Sequence, residues 1–180
     1  KMGGTITFTS EQGTGTTFVI TIPFKINEDV ARDEEKQEEA TASIRGLNIL
    51  LVEDNELNME IAEFVIQSEG ASVVKAWNGQ EAVEAFEKSA SGEFNVILMD
   101  VMMPVMNGYE ATKTIRSMDR SDAKKIPIIA MTANAFVEDR IKSKEAGMNE
   151  HVSKPIDMKL LVKIIAELAG KIKIVRIKDE

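Results

Sequence analysis

The chain contains no cysteine. That absence excludes a disulfide framework and thiolate chemistry, and it suits a reducing compartment. Positive charge is also short: 22 Lys and Arg stand against 30 Asp and Glu, a formal net charge of −8. Phosphate backbones and anionic lipid surfaces are bound through clustered Lys and Arg, so neither nucleic acid nor a membrane is an expected partner. No apolar run approaches the roughly 18 to 20 residues that a spanning helix requires, and the N-terminus lacks a charged-then-apolar export signal. What is present is a chain of 180 residues with 43% hydrophobic content, enough for one ordinary domain core and an appendage. It opens on Lys1 rather than methionine and is expected to be part of a longer protein.

Three zones differ in pattern. In residues 1–25, "TITFT" sets Ile6 and Phe8 on one face, "TFVITI" sets Phe18, Ile20 and Ile22 on one face, and "EQGTG" lies between them. This alternation predicts a β-hairpin with Gly13 and Gly15 serving its turn, a unit that is marginal alone. Residues 26–45 contain "NEDVARDEEKQEEATAS", acidic and without apolar periodicity, which predicts a solvated linker or exposed helical tether. Residues 46–170 alternate short apolar runs with longer amphipathic stretches, the pattern of a parallel sheet with crossover helices. Strands are predicted at Leu47 to Val52, Ser72 to Ala76, Asn95 to Asp100, Ile126 to Met131 and Glu150 to Ser153. Helices are predicted at Glu56 to Ser68, Gln80 to Ser89, Gly108 to Met118, Val137 to Ala146 and Asp157 to Leu168. The tail 171–180, with "KIKIVRIK", reads equally as a frayed extension or an edge strand.

Open α/β sheets bind ligands beyond the carboxyl ends of their strands. There the chain supplies Glu53 and Asp54, then Asp100, then Thr132 and Asn134, then Ser153, Lys154 and Pro155. Two carboxylates about 4 Å apart repel by about 4 kcal/mol at an effective dielectric near 20, so such a cluster takes up protons or a cation. Oxygen ligands without Cys or a nearby His favour Mg²⁺ or a similar hard ion. A lysine for an incoming anion and a threonine hydroxyl complete a pocket suited to a transferable phosphoryl group, with one carboxylate as nucleophile. Each residue alone has a plainer reading. Asp54 or Asn55 suits a helix N-cap, Asp100 a strand end, and Met103 and Met106 loop packing.

Four motifs in order, "ILLVEDNELN", "VILMDVMMPVMNGYE", "IIAMTANAF" and "HVSKPI", resemble the receiver domains of two-component signalling. The resemblance covers about Leu47 to Leu168 and implies a flavodoxin-like, doubly wound, five-stranded parallel sheet of order 2-1-3-4-5. It implies Asp100 as phosphoacceptor and Glu53, Asp54, Asp100 and the Met102 carbonyl as Mg²⁺ ligands. Thr132 and Lys154 would then bind the phosphoryl oxygens, with a cis bond before Pro155. Thr132 would also act as a switch biasing the face of the fourth helix, fifth strand and fifth helix. His151 stands where relatives usually carry Tyr or Phe, so the usual aromatic switch is altered here and the plainer reading is a partly buried ring filler. Met102 and Asn134 would flank the hydrolytic water and tune acyl-phosphate lifetime.

"GGTITFTSEQGTGTTFVITIPF" resembles the C-terminal end of a sensor histidine kinase ATP-binding domain. Upstream nucleotide-binding motifs and histidine-bearing helices are absent from these residues, so ATP binding and autophosphorylation are not expected of them. The order of segments implies a piece of a hybrid histidine kinase, on the cytoplasmic side if its parent is membrane-anchored. Its phosphodonor would be a kinase phosphohistidine and its downstream partner a histidine phosphotransfer protein. The competing reading is a docking or inhibitory module of the parent kinase that works without phosphorylation. An Asp-nucleophile phosphatase is disfavoured, because Asp100-Val101-Met102 lacks the second aspartate such enzymes use as acid/base.

Overall fold

The computed structural model describes residues 3–23, 43–133 and 137–170. They belong to two units, Lys1–Glu39 and Ala40–Glu180. Most of the expected linker, Asn134 and the 171–180 tail lie outside the described residues.

In the first unit, β1 (Thr5–Glu11) and β2 (Gly15–Thr21) pair antiparallel. Gly13 and Gly15 have φ of 86° and 123°, left-handed values that favour glycine, so the turn requires them. The register sets Ile6 opposite Ile20 and Phe8 opposite Phe18, with the two rings 5.9 Å apart. Both strands are exposed along their whole length.

The second unit alternates strand and helix: β3 (Asn48–Val52), α1 (Glu56–Ser68), β4 (Ser72–Ala76), α2 (Gly79–Lys88), β5 (Val96–Asp100), α3 (Gly108–Ser117), β6 (Ile128–Thr132), α4 (Val137–Ala146), β7 (Glu150–Ser153) and α5 (Met158–Leu168). The five strands are parallel in the order β4-β3-β5-β6-β7, which is 2-1-3-4-5 counted within this unit. Strand periodicity divides the core. Ile49, Leu51, Leu98, Ile129 and Met131 face Met59 and Ile66 of α1 and Leu161 and Ile165 of α5. Leu50, Val52, Ile97, Met99 and Ile128 form the second core with Val83 and Phe86 of α2 and Ala111 and Ile115 of α3. Because β3, β5 and β6 are covered on both faces, they read as continuous apolar runs.

Short polar side chains begin the helices. Asn55, Asn78, Asn107 and Asp157 accept backbone N–H groups from the first turns of α1, α2, α3 and α5, and Asn107 with Glu110 forms a reciprocal capping box. Strand β6 starts two residues later than its apolar run suggests. Pro127 has no N–H, the Ile126 N–H is committed to the Asp122 carbonyl, and only the Pro127 carbonyl joins the sheet, accepting from Ile97.

Away from the carboxyl edge, Arg120 fastens the end of α2. Its guanidinium lies 4.2 Å from the Phe86 ring centroid, donates to the carbonyls of Phe86, Ser89 and Ala90, and makes two bonds of 2.8 and 2.9 Å to Asp122. Asp122 also accepts the Gly92 N–H at 2.7 Å. The Arg120 hydrogen bonds hold the Asp122 carboxyl far below the usual carboxylate range. A carboxylate with a depressed folded pKa stabilises the fold above its unfolded pKa of about 3.9, and that contribution fades as pH falls below it. Asp122→Asn should therefore lose about 1 to 2 kcal/mol at neutral pH and show a shallower loss of stability below about pH 4 than the wild type, measured by urea denaturation across pH.

Candidate functional site

Parallel register brings the polar strand ends together. Val52 pairs with Met99, Asp100 with Met131, and Thr132 with Ser153, so Glu53, Asp100, Thr132 and Lys154 emerge along one carboxyl edge. Glu53, Asp100 and Thr132 are buried, whereas Asp54 is exposed. Carboxylate oxygens of Glu53, Asp54 and Asp100 lie within 4.8 Å of one another, a donor set that suits a hard divalent cation. Asn55 takes the N-cap of α1, which leaves the Asp54 carboxylate available to this cluster.

The Lys154 ammonium reaches between two of the acids, 2.6 Å from Glu53 Oε2 and 2.7 Å from Asp100 Oδ2. Asp100 Oδ1 accepts the Met102 N–H at 3.2 Å, and Glu53 Oε1 accepts from Asn58 Nδ2 at 2.9 Å. Burial pushes the Asp100 carboxyl above its ordinary value, opposed by Lys154 and reinforced by Glu53. Burial alone would lower the Lys154 ammonium, but its bonds to Asp100 and Glu53 outweigh that effect and hold it above the ordinary lysine value. The cluster thus sets three carboxyl groups around one internal ammonium.

Backbone contacts fix where Asp100 sits. The Gly108 N–H donates to the Val101 carbonyl at 3.0 Å, and a Cβ at Gly108 would stand 2.2 Å from the Asp100 carbonyl oxygen. The start of α3 therefore rests directly on the peptide of the central aspartate. The Lys154-Pro155 peptide is cis, and the Lys154 N–H donates to the Thr132 carbonyl at 2.7 Å. His151 is partly buried with Nδ1 3.1 Å from Glu150 Oε1, and Met103 and Met106 pack against the second core. Sequence reasoning did not anticipate Asn58 as a partner of Glu53, although its position in the first turn of α1, five residues on, is a usable signal. Nor did it anticipate that Lys154 would bridge Glu53 as well as Asp100.

With this geometry in place, comparison with known proteins is direct. Residues 49–166 match the response regulator receiver domain family. The chain belongs to that family. It is 37% identical over 167 residues to the aerobic respiration control sensor protein ArcB of Escherichia coli, covering 92% of this chain and 20% of ArcB. The chain spans 20% or less of the length of the curated relatives it matches. Among solved structures it resembles the receiver domain of sensor histidine kinase PA1611 of Pseudomonas aeruginosa, described with magnesium coordinated in the active-site cleft. The identity there is 38% and the TM-score 0.63, over 69% of this chain and 98% of that one. It also resembles one chain of the Saccharomyces cerevisiae co-crystal structure of the histidine phosphotransfer protein Ypd1 with the Ssk1 receiver domain: 29% identity, TM-score 0.62, 74% of this chain and 95% of that one.

Two substitutions test the electrostatics and the packing. Lys154→Met leaves Glu53 and Asp100 buried without their cation and should cost about 3 kcal/mol at pH 7. Because an acid with a raised folded pKa binds its proton earlier in the folded state, that variant should regain stability as pH is lowered from 7 toward about 5, or on adding Mg²⁺. Gly108→Ala should lose more than about 2 kcal/mol in urea denaturation, because backbone at 2.2 Å cannot move aside as a flexible side chain would.

Proposed function

We propose that residues 46–170 accept a phosphoryl group on Asp100 and relay it within a phosphorelay that includes a hybrid histidine kinase. The observation that carries this reading is the position of Asp100: at the end of the central strand, buried, and grouped with Glu53, Asp54 and Lys154. Glu53, Asp54, Asp100 and the Met102 carbonyl would hold Mg²⁺, and the close oxygen donors fit such an ion. When bound, Mg²⁺ neutralises charge on phosphoryl oxygens.

Asp100 attacks the phosphorus of a donor phosphohistidine; the new bond runs from phosphorus to the Asp100 oxygen as the phosphorus–nitrogen bond breaks, and the donor imidazole departs. Lys154 exchanges a carboxylate partner for a phosphoryl oxygen. The Thr132 hydroxyl donates to a second oxygen, and its inward shift is read by the α4, β7 and α5 face, with His151 as a modified reporter there. Met102 and Asn134 govern how readily water reaches the acyl phosphate.

A protein donor and a histidine phosphotransfer acceptor are the partners this reading requires. Leu57, Ile61 and Phe64 suit them: at i, i+4 and i+7 of α1 they expose an apolar stripe that starts three residues after Asp54. The β1-β2 hairpin, with Ile6, Phe8, Phe18 and Ile20 exposed, is read as the C-terminal end of a kinase ATP-binding domain, residues 26–45 as linker and 171–180 as tail. The ArcB match supports that reading, because its 92% coverage extends ahead of residue 46. No described helix is long and apolar enough to cross a membrane. The cytoplasmic side is the proposed location.

Incubation with acetyl phosphate and Mg²⁺ tests the reading. A phosphate-retarding gel should resolve one added phosphoryl group on the wild type, none on Asp100→Asn, and none after chelation. Labelling of Asp100→Asn at the wild-type level would refute the nucleophile. An unlabelled wild type that still binds Mg²⁺ would favour the docking function.

A further inference from the structure

Glu53 is the most deeply buried acid of the cluster, 2% exposed, and both of its oxygens are engaged. Oε2 accepts the Lys154 ammonium at 2.6 Å, on the side where Lys154 also reaches Asp100. Oε1 accepts the Asn58 side-chain amide at 2.9 Å. The two bonds differ in permanence. Under the proposed transfer Lys154 leaves for a phosphoryl oxygen, whereas Asn58 is held by the fold. Its own N–H donates to the Asn55 cap at 3.0 Å, and the next residue, Met59, is fully buried in the core shared by α1 and α5. The Glu53 backbone is fixed as well, its N–H donating to the Ala76 carbonyl at 3.1 Å.

A glutamate with both oxygens free can grip a cation through both. With Oε1 held by an amide donor, Glu53 offers the pocket one oxygen, Oε2. That limit bears on ion size. Mg²⁺ binds six oxygens in near-octahedral geometry at about 2.0–2.1 Å, whereas Ca²⁺ binds about 6–8 at about 2.3–2.6 Å and accepts carboxylates through both oxygens. Restricting Glu53 therefore removes coordination that the larger ion uses and the smaller one does not need. Asn58 is itself exposed and joins neither core, so its side chain serves Glu53 rather than packing.

We propose that Asn58 is a positioning residue for ion selectivity: by holding Oε1 it confines Glu53 to one metal-facing oxygen and raises the preference of the site for Mg²⁺ over Ca²⁺. The proposal rests on Glu53, Asp54 and Asp100 holding a divalent cation. Partners that orient metal ligands from outside the coordination sphere commonly govern which ion binds and how tightly.

The test titrates the full chain calorimetrically with Mg²⁺ and, separately, with Ca²⁺, in the wild type, Asn58→Ala and Asn58→Asp. Alanine removes the donor but keeps the backbone bond to Asn55 and suits a helix, so the metal-free thermal midpoint should stay within about 2 °C of wild type. Aspartate keeps the shape, replaces the donor with a carboxylate, and adds oxygens. The ratio of Mg²⁺ to Ca²⁺ affinity should fall at least about fivefold in Asn58→Ala, and further in Asn58→Asp, where the larger ion gains the added oxygens. An unchanged ratio in Asn58→Ala would overturn the proposal, and so would a wild-type ratio in Asn58→Asp. Equal weakening of both ions together with a lowered metal-free midpoint would also overturn it, because Asn58 would then support only the fold. A wild type that binds neither ion would refute the metal-site reading itself and the proposal with it, an outcome that the wild-type titration separates from the others.

Discussion

The ammonium of Lys154, held between Glu53 and Asp100, is the interaction on which the rest of the site depends. Three carboxylates at one sheet edge repel one another, and two of them are buried where water cannot screen the repulsion. One internal cation makes the cluster tolerable in the folded state while leaving it short of positive charge. Under the proposed function, that deficit is what would draw a further cation and, through it, an incoming anionic group. The fold contributes direction: parallel strands in the order found here end at one edge, so residues far apart in the chain arrive side by side.

The two ends of the sheet are built differently. Away from the pocket, Arg120 saturates its donors on the carbonyls ending α2 and on Asp122, an arrangement with every partner satisfied. At the pocket, close backbone contacts at Gly79 and Gly108 leave no space for a Cβ, and the adjoining loop carries Val105 in a left-handed conformation. The satisfied hydrogen-bond network lies away from the pocket, and the left-handed backbone lies beside it. Helix α4 is the least apolar of the helices around the sheet, burying only Ser143 and Ala146.

Much of this architecture was legible in advance because local physics and global fold agree. The buried strands are unbroken apolar runs, the helices carry their own caps, and α1, α4, β4 and β7 have the boundaries their patterning predicts. Where prediction slipped, a specific interaction intervened. At β6, apolarity extended over Ile126 and Pro127 although proline cannot join the ladder as a donor and Ile126 is tied to Asp122. At the site, the choice between Asp54 and Asn55 as helix cap was open by residue type alone; once Asn55 caps α1, Asp54 joins the acids. The bond from Asn58 to Glu53 has a signal in the five-residue spacing, but that spacing alone does not fix it, because the bond depends on where the first turn of α1 sits over the end of β3.

By itself, then, the sequence determined the strand and helix alternation, the exclusion of thiol and polybasic chemistry, and the identity of Asp100, Thr132 and Lys154 as residues worth joining, because periodicity, composition and motif spacing are properties of the chain. Tertiary structure decided what those residues do to one another. Which acids share Lys154, which carboxylate stays exposed, how closely α3 rests on the Asp100 peptide and why Val105 points into solvent all follow from distances between segments that are remote in sequence. Coulomb and contact energies depend on those distances, and no local pattern encodes them.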